Sequence, residues 1–387
     1  MFPILTAAQI LPTDGYAGTL VGRALYPGVF PGPCLVVLRE DGVLNISGTV
    51  PTMAELLNMP SPLSVVHKAT HNCLNLGTVD ELLENSTPET RNPLKPYFLS
   101  PIDLQVVKGS GVTFVSGMLQ RLADENGGAA TVKLIEDAAG VPVDKIMPNT
   151  TEAQRVSSAL KAKGLWTDIL EVAFGPNVEV FTKTQPLSSV GLGAEIGVHP
   201  DSQKNFAEPE VVLVMNADGK ICGATLGADV TLCDKIEQST MLLGPAKDST
   251  AACAVGPFIR LFDDTFSLAN VQGLNVTYAI EGPDGVVMAD TGSMDQLSRS
   301  LQSIAQQAFN DHHGHPDGLA LFTGCMFPSP APRGGEPFAH KVGDVVTIKA
   351  PALGTLTNRV NTTDKVRRWN FGIAELMNNL ANRQLLG

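Results

Sequence analysis

The sequence predicts a mainly-β protein of the α+β class. Three observations point there. The 387 residues include 37 Gly and 27 Pro, so turns are abundant. Short Val-rich apolar runs recur along the chain, as strands do. From Val178 onward such runs dominate, while helical periodicity is confined to a few segments.

The chain is longer than the ~100–200 residues of a typical domain, so two domains are expected. Composition is that of a globular protein, with 43% hydrophobic and 17% charged residues. A net charge of −12 without a long basic run excludes nucleic acid as a natural partner. No apolar stretch reaches the ~18 residues of a spanning helix, so no membrane partner is expected. The start, Met1-Phe2-Pro3-Ile4-Leu5, lacks a basic region and a cleavable apolar core. A cytoplasmic location is expected. The cysteines Cys34, Cys73, Cys222, Cys233, Cys253 and Cys325 form no close Cys-x-x-Cys pair, so neither a zinc site nor a redox pair is indicated. They read as small apolar residues in a reducing compartment.

Residues 17–50 hold β-like runs at Thr19–Val21, Cys34–Leu38 and Val43–Ile46, with Asp41-Gly42 as a hairpin turn. Pro51–Asn58 and Val79–Asn85 read as short helices. Residues 86–105 carry four prolines and little periodicity, as a linker would. The boundary is therefore placed near residue 100, with a small β-rich domain over 1–100 and a larger domain over 101–387. Leu104–Lys108 reads as a strand followed by a turn at Gly109-Ser110-Gly111. Met118–Asp124 and Thr131–Ala139 read as helices. Thr151-Glu152-Ala153-Gln154 fits a capping box before an amphipathic run to Lys163. Ser293–Phe309 and Phe371–Leu385 are the last predicted helices.

The most informative segment is Glu208–Pro257. Asp218-Gly219 lies between Val211–Met215 and Ile221–Leu226, which signals a two-residue type I′ hairpin. That register sets Glu210 opposite Gly227 and Glu208 opposite Asp229. Side chains two apart share a face, so Glu208, Glu210 and Asp229 project from one side of one hairpin. Like charges facing each other are destabilising. Three carboxylates there suggest a bound cation, and an all-oxygen set favours Mg²⁺, Ca²⁺ or Mn²⁺ over zinc. The alternative is a solvated acidic face, but both strands are flanked by apolar residues.

Other clusters read as structural. His312, His313 and His315 follow a helix and precede Pro316-Asp317-Gly318, without the spacing of a helical zinc site. His67 and His71 lack a third ligand. Gly191-Leu192-Gly193-Ala194 lacks the strand–helix context of a dinucleotide loop and reads as a turn. Gly-x-Ser-x-Gly is absent, which argues against a serine hydrolase. Alternation places Glu179, Phe181 and Lys183 on one strand face. Taken alone, Lys183 reads as an edge charge and Lys247 as part of a surface loop.

These residues together resemble the fumarylacetoacetate hydrolase superfamily. The resemblance rests on Glu208-x-Glu210, Asp229 and Lys247 at their spacings, and on Phe181-x-Lys183. It also rests on Ser249–Pro257, Leu321-Phe322-Thr323-Gly324, Lys341-Val342-Gly343-Asp344-Val345-Val346 and Gly354-x-Leu356-x-Asn358-x-Val360. These motifs cover roughly residues 104–361, in the family's order. The whole chain is similar to one branch, the 2-keto-3-deoxy-pentonate dehydratases of non-phosphorylated pentose degradation. The marks of that branch are Val106-Val107-Lys108, Gly111-Val112-Thr113-Phe114, Gly164-Leu165-Trp166, Gly193–Pro200 and His340–Asp344. Two positions depart from the wider family. Val115–Arg121 contains no histidine where the hydrolases carry one, and Cys325 follows the Thr-Gly motif where many members have Thr.

The resemblance implies a mixed β-roll with flanking helices, preceded by the small β-rich domain. It implies Mg²⁺, with Mn²⁺ or Ca²⁺ as alternatives, held by Glu208, Glu210 and Asp229. It implies a small anionic 2-keto acid as substrate, bound to the metal through a carboxylate oxygen and the 2-keto oxygen, with the metal as Lewis acid. A base removes a C3 proton, the C4 hydroxyl leaves as water, and a proton shift from C5 yields 2,5-dioxopentanoate. Glu179 is the first choice of base and Glu171 the alternative. Lys183 and Lys247 hold the carboxylate or polarise the leaving hydroxyl. Thr113, Phe114, Thr323 and Gly324 line the pocket, and Gln120, Arg121 and Glu125 belong to a lid. A homodimer or homotetramer is expected. The alternatives are a C–C hydrolase of a β-diketo acid, disfavoured by the absent histidine, and a non-catalytic metal-binding member.

Overall fold

A computed structural model describes residues 2–124 and 128–386. The strands of the first half are β1 (Leu20–Tyr26), β2 (Gly32–Arg39), β3 (Gly42–Asn45), β4 (Leu74–Asn75), β5 (Tyr97–Leu99), β6 (Val106–Gly111), β7 (Glu179–Thr184) and β8 (Glu195–Val198). Those of the second half are β9 (Asn205–Met215), β10 (Ile221–Leu232), β11 (Cys253–Leu261), β12 (Asn275–Gly282), β13 (Gly285–Ser293), β14 (Leu319–Phe322), β15 (Val345–Ala350) and β16 (Gly354–Thr362).

Among the described residues these strands form two sheets. The larger runs β4-β3-β2-β1-β11-β10-β9-β14-β6-β7, with β5 beside β1, and the smaller runs β13-β12-β15-β16-β8. Pairing is antiparallel except for β14 with β6 and β16 with β8, so both sheets are mixed. The mainly-β α+β class is borne out. The large sheet is rolled. β7 stands four strands from β10, about 19 Å across a flat sheet. Yet the Lys183 ammonium on β7 lies 2.8 Å from Asp229 on β10, so the sheet curls back on itself.

The principal core lies between the sheets, around residues such as Phe206, Leu213, Leu226, Phe258, Tyr278 and Leu356. A second core lies on the other face of the large sheet, beneath helices Met53–Asn58 and Pro62–Ala69. Helices Val115–Asp124, Gly128–Ala139, Thr151–Ala162 and Asp168–Phe174 pack around their own apolar centre between β6 and β7.

The proposed boundary at residue 100 falls between β5 and β6. β1 pairs with β11, so residues 1–100 and the remainder share one sheet. A buried ionic link spans the same junction. Arg23 Nη1 donates to the carbonyls of Ser100 (3.2 Å) and Ile102 (2.7 Å). Asp103, 3.7 Å from Arg23 Nε, accepts the Met53 and Ala54 amides at 2.6 and 3.0 Å. Its negative charge thus caps the start of the Met53–Asn58 helix.

Local departures from expectation have physical causes. The Asp218-Gly219 hairpin is not a two-residue type I′ turn. Only Gly219 of the pair has positive φ (+75°), and the Asn216 side chain accepts the amides of Asp218 and Lys220. This longer turn would offset every cross-strand pair, but a bulge at Cys222 restores the register. Similarly, β2 and β3 meet at Arg39 and Gly42, so Glu40-Asp41 forms that turn. Gly109–Gly111 is strand rather than turn. A Cβ on Gly109 would meet the Phe181 ring at 2.4 Å, so the glycine serves close packing across the β6–β7 pair. Thr150, not Thr151, caps its helix, accepting the Ala153 amide at 3.3 Å. The last predicted interior helix begins only at Leu301, capped by Ser300, because β13 continues through Ser293.

His340 is buried where the segment before β15 crosses β9. Its Nε2 accepts the Ala207 amide at 3.1 Å, which places the proton on Nδ1, 3.3 Å from Asp344. Arg333 Nη1 also binds Asp344, at 2.6 Å. Burial holds the His340 pKa below its ordinary 6.5, against the opposing pull of Asp344. Burial alone would raise Asp344, but its bonds to His340, Arg333 and the Lys341 amide hold it below its ordinary 3.8. In both cases the unfolded chain takes up protons more readily than the folded one. The contribution of this pair to stability should therefore be full above about pH 6.5, fall as pH drops below it, and fall again below about pH 4. In urea titrations His340→Gln should flatten the loss between pH 6.5 and 5; an unchanged slope would exclude this origin.

Candidate active site

The site begins with two neighbouring strands. Asp229 on β10 pairs with Glu208 on β9, and Gly227 pairs with Glu210, as the hairpin pattern predicted. One carboxylate oxygen from each acid lies within 4.8 Å of the others. Asp229 is 0% exposed and Glu210 2%, whereas the Glu208 side chain retains 18%, so the site opens on the Glu208 side. Pro209 sits before the stretch where β14 pairs with β9, so its missing amide leaves that ladder intact.

Two lysines answer this charge. Lys183 and Lys247 are 0% and 5% exposed, which corrects their reading as edge and surface charges. Lys183 Nζ lies 2.8 Å from Asp229 Oδ1 and donates to the carbonyls of Val230, at 2.9 Å, and Lys247. Lys247 Nζ donates to Glu208 Oε2 (2.6 Å), Asp229 Oδ2 (2.7 Å) and Thr231 Oγ1 (2.5 Å). It also lies 4.8 Å from the centre of the Phe181 ring, a cation–π contact. Burial would lower the Lys247 pKa, but Asp229 and Glu208 overcome it and raise the pKa well above the ordinary lysine value. Burial, then the charges of Asp229 and Glu208, push the Glu210 carboxyl up.

The Thr323-Gly324 turn closes one wall. The Gly324 amide donates to Glu210 Oε2 at 2.6 Å. Its φ of +101° and the Thr113 hydroxyl, 1.9 Å from where a Cβ would stand, require glycine there. Thr113 Oγ1 donates to the Thr323 carbonyl and Thr323 Oγ1 to the Val211 carbonyl. Both threonines are buried, as is Phe114, so they brace the wall from behind.

Among the described residues, neither proposed base bonds to the acids or lysines of this cluster. Glu179 lies four residues before Lys183 on β7, roughly 13 Å along the strand. Its carboxylate packs over Gly111. Glu171 accepts from Trp166 Nε1 at 2.8 Å and pairs with Lys161 at 3.6 Å, with its side chain half exposed. Of the suggested lid, Glu125 lies outside the described residues. Gln120 and Arg121 belong to the Val115–Asp124 helix, and their side chains also lie outside the described set. His315 bonds the Ala308 carbonyl at the end of its helix, consistent with a structural role.

One contributor escaped the sequence reading. Thr231 Oγ1 donates to Glu208 Oε2 at 2.6 Å and accepts from Lys247. Two-residue alternation from Asp229 would have found it. Cys325, next to Gly324, donates its thiol to the Phe327 carbonyl at 3.4 Å, and burial and then Glu208 and Glu210 push its pKa well up.

The donor set fits a hard divalent cation. It offers oxygen ligands only, as Mg²⁺, Mn²⁺ and Ca²⁺ prefer. Asp229 Oδ1 is buried and meets Lys183 without hydrogen-bond alignment, which leaves it able to take a further partner.

Fold and site together define a chain with the fumarylacetoacetate hydrolase type of fold. No family model matches the chain. A 2-dehydro-3-deoxy-D-arabinonate dehydratase of Saccharolobus solfataricus is 29% identical over 214 residues, covering 55% of this chain and 69% of the relative. A probable 2-keto-3-deoxyxylonate dehydratase of Haloferax volcanii is 30% identical over 184 residues, covering 48% of this chain and 60% of the relative. Among solved structures, a 2-keto-3-deoxy-D-arabinonate dehydratase complexed with magnesium and 2,5-dioxopentanoate matches with a TM-score of 0.61 at 20% identity. That match covers 90% of this chain and all of the other. These relatives carry the names of dehydratases, which are lyases, and the resemblance read from the motifs is borne out.

Removing one partner of a buried ion pair strands the other. Lys183→Met should therefore cost about 3 kcal/mol or more in urea unfolding. A change under about 1 kcal/mol, the ordinary worth of an exposed pair, would show that Asp229 does not depend on Lys183.

Proposed function

We propose that this protein is a metal-dependent hydro-lyase. In this reading it converts a 2-keto-3-deoxy-pentonate into 2,5-dioxopentanoate. The observation that carries the reading is the buried cluster of Glu208, Glu210 and Asp229 interlocked with Lys183 and Lys247. The relatives' names supply the substrate class.

Glu208, Glu210 and Asp229 would hold Mg²⁺, with Mn²⁺ and Ca²⁺ as alternatives. When bound, the ion supplies Lewis-acid polarisation of the 2-keto group. The chain's own residues do the rest. Lys247, beside the open side of Glu208, binds the substrate carboxylate or the departing C4 hydroxyl. Lys183, 2.8 Å from Asp229 Oδ1, holds that carboxylate in place. The Gly324 amide aims Glu210, and Thr113, Phe114 and Thr323 fix the wall behind it. Glu179 takes the C3 proton, with Glu171 as the alternative. The ammonium pair also counters the repulsion that a net charge of −12 imposes on an anionic substrate. A homodimer or homotetramer is the expected assembly.

Metal-stripped protein should be incubated with 2-keto-3-deoxy-D-xylonate and its C4 epimer, with and without Mg²⁺, following the aldehyde product. Metal-dependent 2,5-dioxopentanoate is expected, and the faster epimer identifies the substrate. No product from either acid, with metal shown to be bound, would overturn the dehydratase reading. Acid release from an acylpyruvate would then favour C–C hydrolysis.

The base is tested separately. Loss of a positioned general base typically costs roughly 10²–10⁴-fold in rate. Glu179→Gln should lower kcat by that order while Mg²⁺ still raises the melting temperature. If Glu171→Gln shows the loss instead, the roles exchange.

A further inference from the structure

Lys247 is held as a bound cation would be. An ammonium has three protons to donate. All three are engaged within the site, on Glu208 Oε2, Asp229 Oδ2 and Thr231 Oγ1. Two of those acceptors belong to the acids that would hold the metal. The ammonium and a divalent ion therefore draw on the same carboxylates, and even on separate oxygens of each they repel one another there.

The two lysines differ in their freedom to move. Lys183 is fully enclosed, and its amine is tied to the carbonyls of Val230 and Lys247 as well as to Asp229. Lys247 ends the short helix Leu243–Lys247, on an excursion between β10 and β11 whose residues 237–241, 244 and 245 are exposed. Its backbone carbonyl is anchored by Lys183, but its four-carbon stem leads toward the open side of Glu208.

We propose that Lys247 is the internal counter-cation of the site. In the ion-free protein its ammonium bridges Glu208 and Asp229 and neutralises them. A divalent ion displaces it, and the amine turns toward the space in front of Glu208. Metal binding and presentation of a substrate-binding ammonium are then one event. The inference rests on the metal-dependent reading above and adds the exchange of cations to it. It also predicts that the ion binds more weakly than the bare acids would allow. A site competent in only about one molecule in ten binds about tenfold more weakly.

The test uses Mn²⁺, with free ion counted by electron paramagnetic resonance, on the wild type, Lys247→Met and Asp229→Asn. Lys247→Met should melt at a lower temperature without ion and bind Mn²⁺ about tenfold more tightly. Asp229→Asn should lose binding. A crystal structure of the wild type with Mn²⁺ and no substrate provides the second reading and does not depend on a variant folding. Nζ should lie beyond about 4 Å, the limit of ion pairing, from both Glu208 Oε2 and Asp229 Oδ2. Mn²⁺ bound with Nζ still bridging both acids, or equal or weaker affinity in a folded Lys247→Met, would overturn the inference alone. No Mn²⁺ binding by the wild type would overturn it together with the metal-dependent reading. Mn²⁺-driven release of Lys247 without turnover of either sugar acid would support it and sink only the substrate assignment.

Discussion

Three carboxylates and two ammoniums share one small volume where β9 meets β10, and much of the structure exists to hold them there. Burying one charge without partners is costly. Here Lys183 and Lys247 each take one oxygen of Asp229, Lys247 reaches Glu208, and the Gly324 amide meets Glu210. Such a cluster is weak evidence of stability, because its desolvation cost is large. Its persistence in a well-packed sheet argues for use.

The rolled sheet is what makes the cluster possible. β9 and β10 are interior strands, flanked by β14 and β11, so their ladders fix the acids on both sides. Lys183 arrives from β7, at the far end of the same sheet, and only the curl brings it back to Asp229. Lys247 arrives from the excursion between β10 and β11. Strands thus present the acids and one lysine, while the other lysine comes from the buried end of a short helix on a partly exposed excursion.

The surrounding polar contacts act on the same strands. His340 receives the Ala207 amide one residue before Glu208 and passes that constraint to Asp344 and Arg333. Thr323 bonds the Val211 carbonyl one residue beyond Glu210. The Gly-Asp and Thr-Gly motifs therefore grip β9 on either side of its paired acids, which explains why they accompany Glu-x-Glu in the chain. Only glycine tolerates the φ of +101° at Gly324 with Thr113 so close behind.

Much of this was legible in the sequence, for a definite reason. The period of two along a strand and the pairing across a hairpin place Glu208, Glu210 and Asp229 together before any fold is known. That register survived even though the turn was of another kind, because the bulge at Cys222 compensated it. Neither bulge nor turn could be read locally, since Asn216 stabilises the turn through side-chain bonds that periodicity does not record. The glycines of β6 looked like a turn because their reason lies in Phe181 and Glu179, some 70 residues away. The burial of the two lysines was decided by the roll of the sheet, which returns Lys183 to Asp229, and by the path of the excursion that carries Lys247. Sequence determined which residues share a strand face; only the tertiary structure decided which faces meet, because that depends on curvature and packing summed over the whole sheet.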